Sequence, residues 1–135
     1  MGKIEHLVEA AIYVDDLARA EAFYRDVLGL ERIGKEPGRH VFFRAGESVL
    51  LAFIAEETLR GKTLPAHGSK GPGHFGLGIA SHEVDEWRAR LEAQGVRIEK
   101  EVEWPAGGRS LYVRDPAGNS VELMTRGCWG LASGW

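Results

Sequence analysis

LYVRDPAGNSVEL (residues 111–123) has an earlier counterpart in VFFRAGESVLL (41–51), and the two align once two residues are inserted in the shorter one. Each is a run of apolar and β-branched residues, a turn containing glycine, and a second such run, the pattern of a hairpin. The likeness continues towards the N-terminus. In the first copy LVEAAIYV (7–14) reads as a strand, Asp16 as a helix N-cap, and 17–28 as a helix with Leu17, Ala20, Phe23, Tyr24, Val27 and Leu28 on one face and Gly29 as its stop. In the second copy 74–79 reads as a strand, Ser81 as the cap, Val84, Trp87 and Leu91 as the helix face, and Gly95 as the stop. Glu9 to Gly29 spans 20 residues and His74 to Gly95 spans 21, so the copies keep step. Strands at 30–33, 40–44 and 48–54 complete the first copy, and strands near 96–103, 110–114 and 119–125 complete the second. Self-similarity over half a chain predicts a duplicated unit. The fold class expected is α+β, two tandem βαβββ modules (about 5–57 and about 73–127) whose curved mixed sheet surrounds a cavity. The segment 56–73, rich in glycine and proline, is expected to link them without forming an element.

Composition narrows the function. The chain has 135 residues, enough for one domain-sized core without a disulfide or structural metal. Its net charge is −3 and it has no basic run, which argues against nucleic acid or anionic membrane as a partner and for a small molecule. The single cysteine, Cys128, and the absence of an apolar leader or spanning stretch predict a cytoplasmic protein.

Strand parity then selects the residues that share a face. In the opening strand Val8, Ala10, Ile12 and Val14 form the apolar side that meets the helix, so Glu9 turns to the concave side with Leu7, Ala11 and Tyr13. His74 and Glu122 fall on the concave side of the second copy. Taken singly, Glu9 reads as an exposed strand residue and His74 as a hydrogen-bonded loop-end histidine. Jointly, one imidazole and two carboxylates at concave positions on corresponding strands form a ligand set for a divalent metal ion (Mn, Ni, Zn, Co or Fe), harder than the two-histidine, one-carboxylate set of oxygen-activating iron. His40, Arg44, Tyr112 and Arg114 share that parity and are candidate substrate contacts, although an ordinary sheet role suits each. His6 has the opposite parity. GPGHFG (71–76) satisfies G-x-G-x-x-G but opens a strand, so it is not a dinucleotide loop. Cys128 has no evident activating neighbour.

The segments AIYVDDLARAEAFYRDVLGLE (11–31), GPGHFGLGI (71–79) and RDPAGNSVELM (114–124) resemble the vicinal oxygen chelate superfamily, which includes glyoxalase I, type I extradiol dioxygenases, fosfomycin-resistance proteins and bleomycin-binding proteins. The resemblance covers nearly the whole chain. It implies metal ligands on the first and last strands of each module, with Glu9, His74 and Glu122 at the first, third and fourth places. At the second place Leu50 aligns with Glu122, or Leu51 after a one-residue slip, and neither is a ligand. By this resemblance the expected function is a metal-dependent isomerase or lyase of glyoxalase type. Its substrate would chelate the metal through adjacent oxygens, with Glu122 also moving a proton. A ring-cleaving dioxygenase and a non-catalytic binder of a small aromatic or drug-like molecule are the rivals. The resemblance also implies a C2 homodimer in which Glu9 comes from the neighbouring subunit. The tail CWGLASGW (128–135), with Trp129 and Trp135, is expected to pack on the core or on a partner subunit.

Overall fold

The computed structural model describes residues 1–131. The chain divides into two compact units, one ending at Gly71 and the other beginning at Pro72. The first contains β1 (Glu9–Tyr13), α1 (Leu17–Ala22), a π-helical turn (Phe23–Val27), β2 (Glu31–Glu36), β3 (His40–Ala45), β4 (Ser48–Phe53) and α2 (Ala55–Arg60). The second contains β5 (His74–Gly78), a 3-10 turn (Ser81–Glu83), α3 (Val84–Ala93), β6 (Lys100–Glu103), β7 (Arg109–Arg114), β8 (Ser120–Met124) and a 3-10 turn (Arg126–Trp129). Their sheets have the orders β1-β4-β3-β2 and β5-β8-β7-β6, with one parallel pair each, β1 with β4 and β5 with β8. These are the two βαβββ modules. Among the described residues no helix is long and apolar enough to cross a membrane.

Alternation along each strand builds the cores. Ile12, Val41, Phe43, Leu50 and Ala52 are buried on the side of the first sheet that meets Ala20, Tyr24 and Leu28. Tyr24 and Phe43 are fully buried, with ring centroids 5.3 Å apart. In the second unit Leu111, Val113, Val121 and Leu123 play the same part, together with Val84 and Leu91 of α3. Asp16 caps α1 by accepting the Arg19 backbone N–H at 3.0 Å.

Several local expectations change. The helix read over 17–28 is α-helical only to Ala22 and widens into the π turn, which buries Phe23 and Tyr24 side by side. Ser81 opens a 3-10 turn and makes no side-chain cap bond. The strand read at 30–33 runs instead through Glu31–Glu36, with a bulge between Arg32 and Gly34 that leaves Ile33 exposed. The segment 56–73 is not elementless. Glu56 and Glu57 in the first turn of α2 and Arg60 in its last complement the helix dipole, Thr58 is buried, and Gly61, at φ 55°, ends the helix. The glycines and prolines that follow hid this short helix. Trp129 is exposed, so it is not a core residue, and Trp135 lies outside the described residues.

Candidate metal and substrate site

The second unit gathers the chemistry. Its β7–β8 turn is locked by Asp115, whose Oδ1 accepts the backbone N–H groups of Ala117 (3.0 Å) and Asn119 (2.8 Å), while its Oδ2 accepts from Asn119 Nδ2 at 2.9 Å. Asn119 Oδ1 then accepts the Gly73 N–H at 2.8 Å, which fastens the start of β5 beside β8. This clamp sets His74 opposite Ser120 and Gly76 opposite Glu122. At Gly76 a Cβ would lie 2.7 Å from the Met124 sulfur, so a larger residue there would require the Met124 side chain to move.

His74 Nδ1 lies 3.2 Å from both the carbonyl oxygen and the hydroxyl of Ser120, and a carbonyl can only accept. Nδ1 therefore carries a proton, and Nε2 faces Glu122 Oε1 at 3.4 Å. Glu122 is buried, unusual for a carboxylate, and its Oε2 accepts from Ser110 Oγ at 2.5 Å. Tyr112 stacks towards His74 with centroids 6.2 Å apart and pairs with Glu122 across the β7–β8 register. Desolvation, and after it the Glu122 charge, push the Tyr112 hydroxyl above its usual range, so it stays protonated as a donor.

The donor set fits a divalent metal. Oriented Nδ1 leaves Nε2 as the ligating nitrogen, and a buried carboxylate supplies charge beside it. Among the described residues no three His, Cys, Asp or Glu side chains gather as a metal site; His74 and Glu122 come together as a pair.

Glu9 stands on β1 of the first unit, exposed, at the margin of a cavity of about 1060 Å³. Ala11, Tyr13, Phe42, Leu51 and Phe53 form the cavity's floor. The register settles the alignment of the two sheets. Glu9 pairs with Val49 and Ala11 with Leu51, as His74 pairs with Ser120 and Gly76 with Glu122. Leu51, not Leu50, is therefore the counterpart of Glu122; Leu50 points into the core. The second ligand place holds an apolar side chain that lines a cavity.

The four candidate substrate contacts separate. His40 lines the cavity of the first unit, stacked on Phe42 at 4.0 Å, and its Nδ1 accepts from Arg39 Nη1 at 2.6 Å. Burial, and then the Arg39 charge, hold His40 below the usual imidazole range against a smaller opposing effect from Glu36. Tyr112 adjoins Glu122. Arg44 is exposed and lies 3.7 Å from Glu31, and Arg114 is bound to Glu99 at 2.7 Å, so both are engaged in surface ion pairs. His6 is exposed and precedes β1. Cys128 Sγ lies 3.7 Å from Ser110 Oγ. Three participants were missed: Ser110, whose parity with Tyr112 could have revealed it; Trp104, which no sequence signal marks; and His67, whose Nδ1 lies 2.6 Å from the Tyr13 hydroxyl across the cavity.

Known proteins share this fold. A solved lactoylglutathione lyase from Agrobacterium tumefaciens superposes with a TM-score of 0.92 at 46% identity, covering 96% of this chain and 100% of that one. A glyoxalase/bleomycin resistance protein/dioxygenase from Nocardioides shares the fold at 21% identity and a TM-score of 0.74, over 100% of this chain and 91% of its own. An uncharacterized protein of Pseudomonas aeruginosa is 30% identical over 87% of this chain and 86% of its own. Catechol-2,3-dioxygenase of Bacillus subtilis is 29% identical over 87% of this chain but only 40% of its own length. Residues 3–123 match the model of the Glyoxalase/Bleomycin resistance protein/Dioxygenase superfamily, and to that superfamily the chain belongs.

Proposed function

We propose that the protein is a metal-dependent lyase or isomerase of glyoxalase type, acting on a small molecule that presents two adjacent oxygens to a divalent ion. The observation that carries this reading is the pair His74 Nε2 and Glu122 Oε1, 3.4 Å apart with the other ring nitrogen already committed to Ser120. Likeness to the Agrobacterium lyase supports it. His74 and Glu122 hold the ion with Glu9 of a partner subunit in a C2 homodimer, which supplies the third side chain that one chain lacks. When bound, the metal acts as a Lewis acid on a carbonyl or enediolate. Glu122 would take and return the substrate proton at Oε1 once that oxygen is released from the ion, with the protonated Tyr112 hydroxyl as a donor in the site. Ala11, Phe42, Leu51 and Phe53 exclude water from an apolar part of the substrate.

Ring cleavage by a dioxygenase is the second reading, favoured by the aromatic cavity and by likeness to the Bacillus enzyme. Metal analysis of protein purified without added metal or chelator, with Glu122→Ala alongside, separates the two. Near-stoichiometric Mn, Ni, Co or Zn in the parent, lost together with at least a hundredfold of activity in the variant, is the expected result, taking the effect of removing a ligand to exceed the roughly 10–100-fold cost of removing its outer partners. Iron with oxygen consumption supports ring cleavage. Metal retained by Glu122→Ala removes Glu122 from the site.

A further inference from the structure

Ser110 and Trp104 take no part in the reaction proposed above, yet they govern the carboxylate on which it depends. Ser110 is fully buried. Trp104 Nε1–H donates to its hydroxyl oxygen at 2.8 Å, and an indole nitrogen can only donate. Ser110 must therefore accept from Trp104, and its one proton is left for another acceptor. Glu122 Oε2 is 2.5 Å away and Cys128 Sγ 3.7 Å, so the proton goes to the carboxylate. The hydrogen bonds run one way, from Trp104 to Ser110 to Glu122. Oε2 is thereby engaged, while Oε1 is the oxygen that faces His74.

The first module supplies a control within the same chain. Ser110 pairs with Met124 and Tyr112 with Glu122; in the matching register His40 pairs with Phe53 and Phe42 with Leu51. A histidine thus occupies the place of Ser110 where a leucine occupies the place of Glu122. The first sheet keeps the same pairing with a different residue at that place, so the strand register does not by itself call for a serine there.

We infer that Ser110, oriented by Trp104, is a positioning residue that restricts Glu122 to one oxygen, Oε1, as a metal ligand. This rests on the metal reading above. The Ser110 bond is thus what distinguishes the two oxygens of Glu122.

The test is cobalt(II) titration of the metal-free full chain, read by calorimetry and by visible absorption, in the parent, Ser110→Ala, Ser110→Thr, Trp104→Phe and Glu122→Ala, with thermal melts to establish folding. Ser110→Ala is expected to bind cobalt about tenfold or more weakly, the range for losing an outer partner of a ligand, and to shift the absorption bands as the freed carboxylate offers both oxygens. Ser110→Thr restores the hydroxyl and is expected to return both readouts towards the parent. Trp104→Phe weakens binding in the same direction by a smaller factor, and stands in if Ser110→Ala does not fold. Parent affinity and parent spectrum in folded Ser110→Ala or, failing that variant, in Trp104→Phe overturn the inference and leave the metal site standing. Failure of folded Ser110→Thr to restore either readout does the same. No cobalt on the parent, or equal cobalt on Glu122→Ala, overturns the metal reading and the inference with it.

Discussion

The two modules share strand order, pairing and register, and they differ in what their concave faces carry. On the helix side both are apolar and buried, with Phe43 in one matching Val113 in the other. On the concave side the first presents Ala11, Tyr13, Phe42, Leu51 and Phe53, and the second presents Gly76, Tyr112, Ser110 and Glu122. The helix-facing residues must fill a core and so are constrained alike in both copies. The concave residues carry no such obligation, which leaves them free to line a cavity with an apolar floor and Glu9 and His40 at its edge in one module, and to gather a polar cluster around Glu122 in the other. The packed core is the requirement both modules share, and the concave faces are where they part.

If that division is right, the largest stability effects lie on the helix side. Phe43→Ala is expected to cost about 3–5 kcal/mol, because the ring is fully buried against Tyr24 and the cavity left behind cannot refill. Denaturant unfolding measures this. A cost below about 1 kcal/mol, the level of an ordinary surface change, would break the claim that the first module's helix face is a packed core.

The same division explains what could be read from the sequence. Helix faces, the Asp16 cap and the duplication were legible because repeated apolar spacing reports burial directly, as with buried Ile12 on the face of β1 opposite Glu9; the Ser81 cap was not. The short α2 was not, since its six residues present too little periodicity to stand out beside Gly61, Pro65 and Gly68. Parity set Glu9, His74 and Glu122 on concave faces as one group; His74 and Glu122 are neighbours within the second unit, and no group of three forms among the described residues. Parity did not decide between Leu50 and Leu51, because a one-residue slip reverses faces and only the pairing of β1 with β4 fixes the register. Trp104 was invisible for a different reason. It precedes β7 on an irregular segment, and its indole reaches Ser110 through a turn at Gly107 and Gly108 that no period encodes.

A second difference concerns how each opening strand is fastened. Asn119 ties Gly73 and Asp115 together, whereas its counterpart Ser48 makes only a 3.5 Å bond to the Leu7 carbonyl. Asn119→Ala is therefore expected to cost about 1–3 kcal/mol, because it removes the buried side chain's hydrogen bonds to the Gly73 N–H and to Asp115. Cobalt affinity falls with it, as His74 loses its fixed place. Ser48→Ala is expected to stay within about 0.5 kcal/mol. Equal costs for the two, measured in the same denaturant series, would show that the clamp is not peculiar to the second module.

The smallest effect tests the outer faces, where the modules reverse the sign of one device. In the first, Glu21 of α1 faces Arg32 and Lys35 of β2, with Arg25 beside it; in the second, Arg88 of α3 bonds Glu101 of β6, which Arg109 also holds. Burial raises the Glu21 carboxyl, but Lys35, Arg25 and Arg32 outweigh it and hold it below the usual carboxylate range. Its folded value is thus lower than its unfolded one. The stability it adds is fully present above the usual carboxylate range and is lost as pH falls through the depressed folded value. Glu21→Gln should consequently lower the melting temperature at pH 7 and narrow the gap to the parent as the solution is acidified into that range. Glu101, held down by Arg88 and Arg109 in the same sense but more exposed than Glu21, should give a shallower version of the same curve when changed to Gln. A gap that stays constant from neutral to acid pH would mean that Glu21 acts by packing alone, and that the reversed charge arrangement on the two helices contributes nothing measurable to either module.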